Sequence, residues 1–182
     1  MKNIIKLLSV AGIFSLALFC SFSSAEAASL KKYDDTFISF SYPAAWDLQT
    51  KNIDHYFLSE PIYYLFYIPS KPPYTEHASF MIEGQLTLKK IEELKNKYPS
   101  NGYKQTGVQK TTTKLSGLKA YKVISNYKDN LKTPHRMISL WTVSANDKEF
   151  VQEVWVEYDA TTKFYNQHVQ DALKVINSIK FK

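Results

Sequence analysis

From Phe37 to Tyr42 the chain alternates as Phe-Ile-Ser-Phe-Ser-Tyr, which places Ile38, Phe40 and Tyr42 on one face and Phe37 with two serines on the other. This two-residue period predicts a half-buried strand. Pro43 has no amide hydrogen to give and is expected to end the pairing, with Trp46 opening the next extended piece. Further runs rich in β-branched and aromatic residues cover Ile62 to Ile68, Ala78 to Gln85, Tyr103 to Leu115, Leu118 to Tyr127, Arg136 to Ser144 and Phe150 to Tyr158. In the last run Phe150, Val154, Val156 and Tyr158 share one face, while Val151 and Trp155 lie on the other among Glu153 and Glu157. Both faces are therefore expected to be at least partly covered. Ser116-Gly117 and Asn146-Asp147-Lys148 read as hairpin turns, and connections this short favour antiparallel pairing.

Two stretches switch to helical spacing. Thr87 to Tyr98 aligns Leu88, Ile91, Leu94 and Tyr98, with Thr87 as cap and Pro99-Ser100-Asn101-Gly102 as the stop. From about Thr161 to Ile179, a stripe of Tyr165, Val169, Ala172, Leu173, Ile176 and Ile179 follows a cap at Asp159 or Thr161. Burying that stripe contributes on the order of 10 kcal/mol gross, at roughly 1.5 to 3 kcal/mol per large side chain. Loss of this helix is expected to unfold the domain. The pattern as a whole predicts a single α+β domain, an antiparallel sheet with helices packed on it.

The N-terminus departs from that pattern. Lys2 and Lys6, the apolar run Leu7 to Phe22 and the small-residue end Ala25-Glu26-Ala27 have the three-part form of a cleavable secretory signal, residues 1–27. The run is shorter than a spanning helix and is interrupted by Ser9, Gly12 and Ser15, so no stable transmembrane anchor is expected. The only cysteine, Cys20, lies inside the signal, and the bulky Phe19 before it argues against a lipoprotein site. Cleavage near Ala27 leaves a chain without thiols, which excludes disulfides, thiolate catalysis and cysteine-bound metal. Residues 28–182 fit one domain, secreted or held in the envelope and monomeric. Without Lys2, Lys6 and Glu26 the formal charge falls from +6 to +5, and Arg136 is the only arginine. A lysine surplus suits solubility and loose attraction to anionic envelopes, and nucleic acid is not an expected partner for an exported chain.

Chemistry-bearing motifs give little direction. The four histidines, His55, His77, His135 and His168, are isolated in sequence and form none of the spaced metal motifs. Gly102 and Gly107 lack the lysine and serine or threonine of a phosphate loop, and no nucleophile elbow occurs. No cofactor and no catalytic residue is assigned. Tyr63, Tyr64 and Tyr67, beside the proline-stiffened loop that carries Tyr74, are candidate partner-binding residues, since tyrosine offers large contact area at low rotamer cost. Against this, Tyr63 to Tyr67 reads better as a central strand covered on both faces, its hydroxyls reaching the rim, which leaves Tyr74 the better candidate. Lys89, Lys90, Lys95 and Lys97 are interleaved with Glu92 and Glu93, with Glu93 to Lys97 at helix-supporting spacing, and read as a solvated helix face.

Tyr33, the strand Phe37 to Tyr42, Pro43 and the closely following Trp46 resemble the start of PsbP-like domains, which include the extrinsic photosystem II proteins and bacterial exported proteins of unassigned role. The order of later segments is also similar, through the Gly117-Leu118-Lys119-Ala120-Tyr121 turn to the closing Ile176-Asn177-Ser178-Ile179-Lys180-Phe181. The resemblance implies an α-β-α sandwich whose members mostly dock to other proteins, with no shared catalytic motif. The expectation is thus a non-enzymatic module for a protein or envelope component. The alternative is a small-molecule or metal-binding protein, or an enzyme, with a pocket of scattered residues, favoured if two or more of His55, His77 and His135 converge with carboxylates.

Overall fold

The computed structural model describes residues 29–51, 62–68, 78–86, 90–99, 101–145 and 151–182. A small sheet comes first: β1 (Leu30–Asp34) and β2 (Ile38–Pro43) pair antiparallel, and the two-residue β10 (Lys180–Phe181) adds to the other side of β2. The large sheet takes β3 (Asp47–Lys51), β4 (Ile62–Tyr67), β5 (Ala78–Leu86), β6 (Thr106–Leu115), β7 (Leu118–Lys128), β8 (Pro134–Ala145) and β9 (Val151–Thr161) in the spatial order β3-β4-β5-β9-β8-β7-β6. Every neighbouring pair is antiparallel. One long helix, α1 (Thr162–Ser178), leaves β9 directly and packs back over β9, β8 and β2.

The core lies between the large sheet and a second layer made of α1 and the small sheet. Alternate residues of β9, Val154, Val156 and Tyr158, face Phe164, Ala172, Val175 and Ile176 of α1. Toward the small sheet the interior is aromatic: Phe40 meets Phe66 edge-on at 5.6 Å, and Phe66 meets Phe80 at 5.5 Å and Trp46 at 5.8 Å. Such edge contacts each contribute about 0.5–1.5 kcal/mol beyond burial. A turn in which the Trp46 amide donates to the Pro43 carbonyl at 2.9 Å swings the indole into this cluster. β2 ends at Pro43 as expected, with Pro43 itself the last paired residue, opposite Leu30. β10 pairs only with Ile38 and Ser39, so the missing amide falls where β2 has no second neighbour.

The opposite face of the large sheet carries a smaller cluster, Leu94, Tyr121, Val123 and Trp141, with Ile91, Val143 and Trp155 at its edge. Trp141 and Trp155 stack at 6.0 Å across β8 and β9. Covering this face is a 3₁₀ helix, Ile91–Asn96, and not the α-helix expected from Thr87 to Tyr98. Thr87 and Leu88 lie outside the described residues. Ile91 and Leu94, three apart, fit a three-residue turn as well as an α-turn, and only Leu94 is buried. Glu93 does not support a helix through Lys97. Its carboxylate accepts from the Lys90 amide at 2.9 Å, while the Lys97 ammonium, just past the helix, pairs with the buried Glu153 on the face below it.

The other predicted elements appear with small shifts. Ser116 and Gly117, at φ of 51° and 82°, form the two-residue turn between β6 and β7. β8 and β9 pair down to Ala145 opposite Val151, while Asn146-Asp147-Lys148 lie outside the described residues. Thr161 stands at the start of α1 without a side-chain capping bond, and Asp159 points from β9 to a different partner. Among the described residues no helix is long and apolar enough to cross a membrane.

Candidate functional site

At the end of the sheet where β7 turns into β8, residues from four segments meet. Tyr127 is the next-to-last residue of β7, His135 follows the first residue of β8 directly opposite it, and Asp159 lies on β9 two residues before Thr161, the partner of His135. The Tyr127 hydroxyl donates to Asp159 Oδ2 in a short hydrogen bond and lies 3.2 Å from His135 Nδ1. Nδ1 is also 3.3 Å from Asp159 Oδ1, and Nε2 is 3.6 Å from Asp129 Oδ2. Because the Tyr127 proton goes to Asp159, a proton on Nδ1 satisfies both oxygens that face it. Tyr103 stacks on Tyr127 at 5.0 Å and Tyr127 on His135 at 4.8 Å, an aromatic column buried to 9 % exposure at the histidine.

Burial and hydrogen bonding also set the charge states of the groups in this column. Burial, then the hydrogen bond and charge of Asp159, push the Tyr127 phenol well above the ordinary tyrosine range, so it stays a neutral donor. A nucleophile or base needs the opposite shift. Burial raises Asp159 too, against the hydrogen bonds from Tyr127 and His135. For Asp129 burial also pushes upward, but the amides of Thr133 and Leu131 and the nearby His135 prevail and hold it below the usual carboxylate range. The Thr133 amide donates to Asp129 Oδ1 at 2.8 Å and the Lys132 amide to the Asp129 carbonyl at 3.0 Å. This closed turn holds Lys132 at φ 65°, a left-handed conformation uncommon for a lysine.

An open cleft of about 550 Å³ lies at this end of the sheet, lined by Lys104, Lys128, Lys132, Tyr127 and His135 together with Thr106, Asn126 and Thr162. β6 reaches it through an irregularity between Thr106 and Gln109. Gly107 there has φ 56°, a left-handed conformation that favours glycine, and an added Cβ would stand 2.8 Å from the Asn126 side-chain amide nitrogen, which would have to shift. Gln105 Nε2 bonds Asn101 Oδ1 at 2.8 Å and its Oε1 accepts from Ser125 at 2.8 Å, which ties the segment bearing Lys104 to β7. Among the described residues no group of three or more His, Cys, Asp and Glu is arranged to hold a metal ion.

Two solved structures share this architecture. The crystal structure of LpqN, involved in cell envelope biogenesis of Mycobacterium tuberculosis, is similar with a TM-score of 0.56 at 14% identity, over 85% of this chain and 91% of that one. The solution structure of cyanobacterial PsbP (CyanoP) from Synechocystis is similar with a TM-score of 0.50 at 15% identity, over 90% of this chain and 99% of that one. The chain folds as a PsbP-like domain. No family model matches it and no protein of curated function matches it in sequence, so the likeness is one of fold.

Within this PsbP-like domain the sequence-predicted residues are scattered. Tyr64 is 3 % exposed and faces the small sheet, where its hydroxyl donates to Asp35 Oδ2 at 2.7 Å, so its phenol is not offered at the surface. Tyr63 is half-buried on the other face opposite Glu83, and Tyr67 is 53 % exposed opposite Ser79. β4 is second from the edge rather than central. Tyr74, His55 and His77 lie outside the described residues. His168 sits half-buried beside Phe164, and burial lowers its pKa. Arg136 lies over the Tyr165 ring at 5.2 Å, on the α1 side. Of the residues around the cleft only His135 stood out in the sequence. Tyr103, Tyr127, Asp129 and Asp159 come from segments up to 56 residues apart in number, with no shared motif, and the turn-forming run Lys128 to Pro134 was the one local signal.

Proposed function

We propose that the chain is an exported PsbP-like binding module of the cell envelope, released by cleavage of residues 1–27, that holds a partner and turns nothing over. The observation that carries this reading is the open cleft lined by three lysines beside the stacked Tyr103, Tyr127 and His135 rings. Such a site is preorganised for capture, because few groups need ordering on binding. The likeness in fold to LpqN, a protein involved in cell envelope biogenesis, supports the same setting. A surplus of lysine further favours an anionic surface over bidentate recognition.

The test is co-sedimentation of purified residues 28–182 with isolated envelope. Saturable binding that excess unlabelled chain displaces, and that an unrelated protein of equal net charge does not reproduce, is the expected result. Binding that never saturates, or that the unrelated protein matches, would overturn the module reading. A second reading, a small-molecule protein with a scattered pocket, draws on His135 meeting Asp129 and Asp159. Substrate turnover by the purified chain, abolished in His135→Gln, would favour it.

A further inference from the structure

We propose that the cleft lined by Lys104, Lys128 and Lys132 is a binding site for a phosphate-class anion, either a phosphorylated headgroup or free phosphate. The inference rests on the module reading above and names the chemistry of what the module holds. Lys104, Lys128 and Lys132 come from three separate places, the segment before β6, the end of β7 and the turn before β8, yet all line one cleft. None of the three makes an ion pair among the described residues, and no carboxylate lines the cleft. The two acids that reach His135 are already engaged: Asp129 accepts from the Thr133 amide and lies 3.6 Å from His135 Nε2, and Asp159 accepts from Tyr127.

Three ammonium groups are each a strongly hydrated point charge with three donors, which matches an anion with several acceptor oxygens better than a single planar carboxylate. Asn126 adds a neutral side-chain amide donor at the same cleft, while the Thr106 and Thr162 hydroxyls donate to the Asn126 and Pro134 carbonyls at 3.2 Å and shape its wall. The size points the same way. A volume of about 550 Å³ holds a headgroup-sized molecule, with room for free phosphate and its water. The geometry also explains two local features. Gly107 brings β6 against Asn126, and the closed turn from Asp129 to Thr133 holds Lys132 in a left-handed conformation at the rim.

The experiment compares the wild-type chain, residues 28–182, with Lys104→Gln/Lys128→Gln/Lys132→Gln and with Lys31→Gln/Lys114→Gln/Lys180→Gln, which loses equal charge from exposed positions on β1, β6 and β10. Probes are inorganic phosphate, vesicles of phosphatidylglycerol in phosphatidylcholine, and vesicles of phosphatidylcholine alone. At about 1 kcal/mol per lysine near an anionic surface, the cleft variant is expected to bind phosphatidylglycerol vesicles at least about tenfold more weakly, while the control variant stays within about twofold of wild type. Amide resonances of Thr106, Asn126 and Thr162 are expected to shift with the bound probe. Saturation by inorganic phosphate identifies free anion as sufficient, and response to the anionic vesicles alone identifies the headgroup.

Equal weakening of the two variants would overturn the site, as would unshifted cleft amides with both phosphate and anionic vesicles. Lys128→Glu provides an independent arm: charge reversal at one exposed position must weaken binding more than Lys128→Gln does, or the cleft does not bind anions. Envelope co-sedimentation retained by the cleft variant would sink the anion site and leave the module standing. Loss of saturable envelope binding in wild type would sink the module itself.

Discussion

At the scale of single residues, the polar face of the large sheet is where charge and burial conflict. Glu153 is 1 % exposed, and the Lys97 ammonium beside it offsets what would otherwise be an uncompensated buried carboxylate. Glu157 has no such cation. Burial pushes its carboxyl up to about 7, the nearby Asp159 and Glu83 add to the rise, and the Ser139 hydroxyl at 3.0 Å opposes it. The folded chain therefore keeps this proton over a range, from an ordinary value of 4.5 to about 7, where the unfolded chain has lost it. The cost of ionising Glu157 is absent below that window and fully in force above it, so stability falls as pH rises through it. Glu157→Gln keeps a partner for Ser139 and removes the charge. Relative to wild type it is expected to gain little at pH 5 and on the order of 2–3 kcal/mol at pH 8, read by urea unfolding. An equal difference at both pH values would show that the charge is not the cause. None of this was visible in the sequence, where Glu153 and Glu157 read only as polar positions between Val and Trp.

At the scale of elements, legibility followed the length of the repeating pattern. β7, β8 and β9 each alternate over more than ten residues, and α1 carries a stripe over 17, so the period outweighs any single residue. The element between Thr87 and Tyr98 had only four matching positions, and such a pattern does not separate a 3₁₀ turn from an α-helix. Strands of two and five residues, β10 and β1, are set by pairing with β2 and not by their own pattern. The Tyr33 to Trp46 segment was readable because its aromatic spacing is a packing motif, with Tyr33 stacked on Phe40 at 5.1 Å and Trp46 against Phe66. The 3₁₀ helix is held down mainly by one fully buried side chain. Leu94→Ala is expected to cost about 2–4 kcal/mol, from the lost contact and the cavity left against Tyr121 and Trp141. A cost below about 1 kcal/mol in equilibrium unfolding would mean that the segment does not depend on that anchor.

At the scale of the whole molecule, the arrangement explains why fold and site differ in how far the sequence reveals them. The fold is written in local periods, repeated along most of the described chain. The cleft is written in register, since Tyr127, His135 and Asp159 meet only when β7, β8 and β9 are aligned, and Lys104 joins them only when β6 bends at Gly107. The tyrosines of β4, conspicuous in the sequence, lie on another part of the molecule, and Tyr64 belongs to its interior. If an envelope component is held at this cleft, site-specific photo-cross-linking reads it directly, with a reactive side chain at position 128 in the cleft or at position 114 near the tip of the β6–β7 hairpin, followed by exposure to intact envelope. A saturable adduct is expected from position 128 that excess wild-type chain suppresses, and none from position 114. Adducts of equal yield from both positions, or from position 114 alone, would show that the cleft does not hold the component.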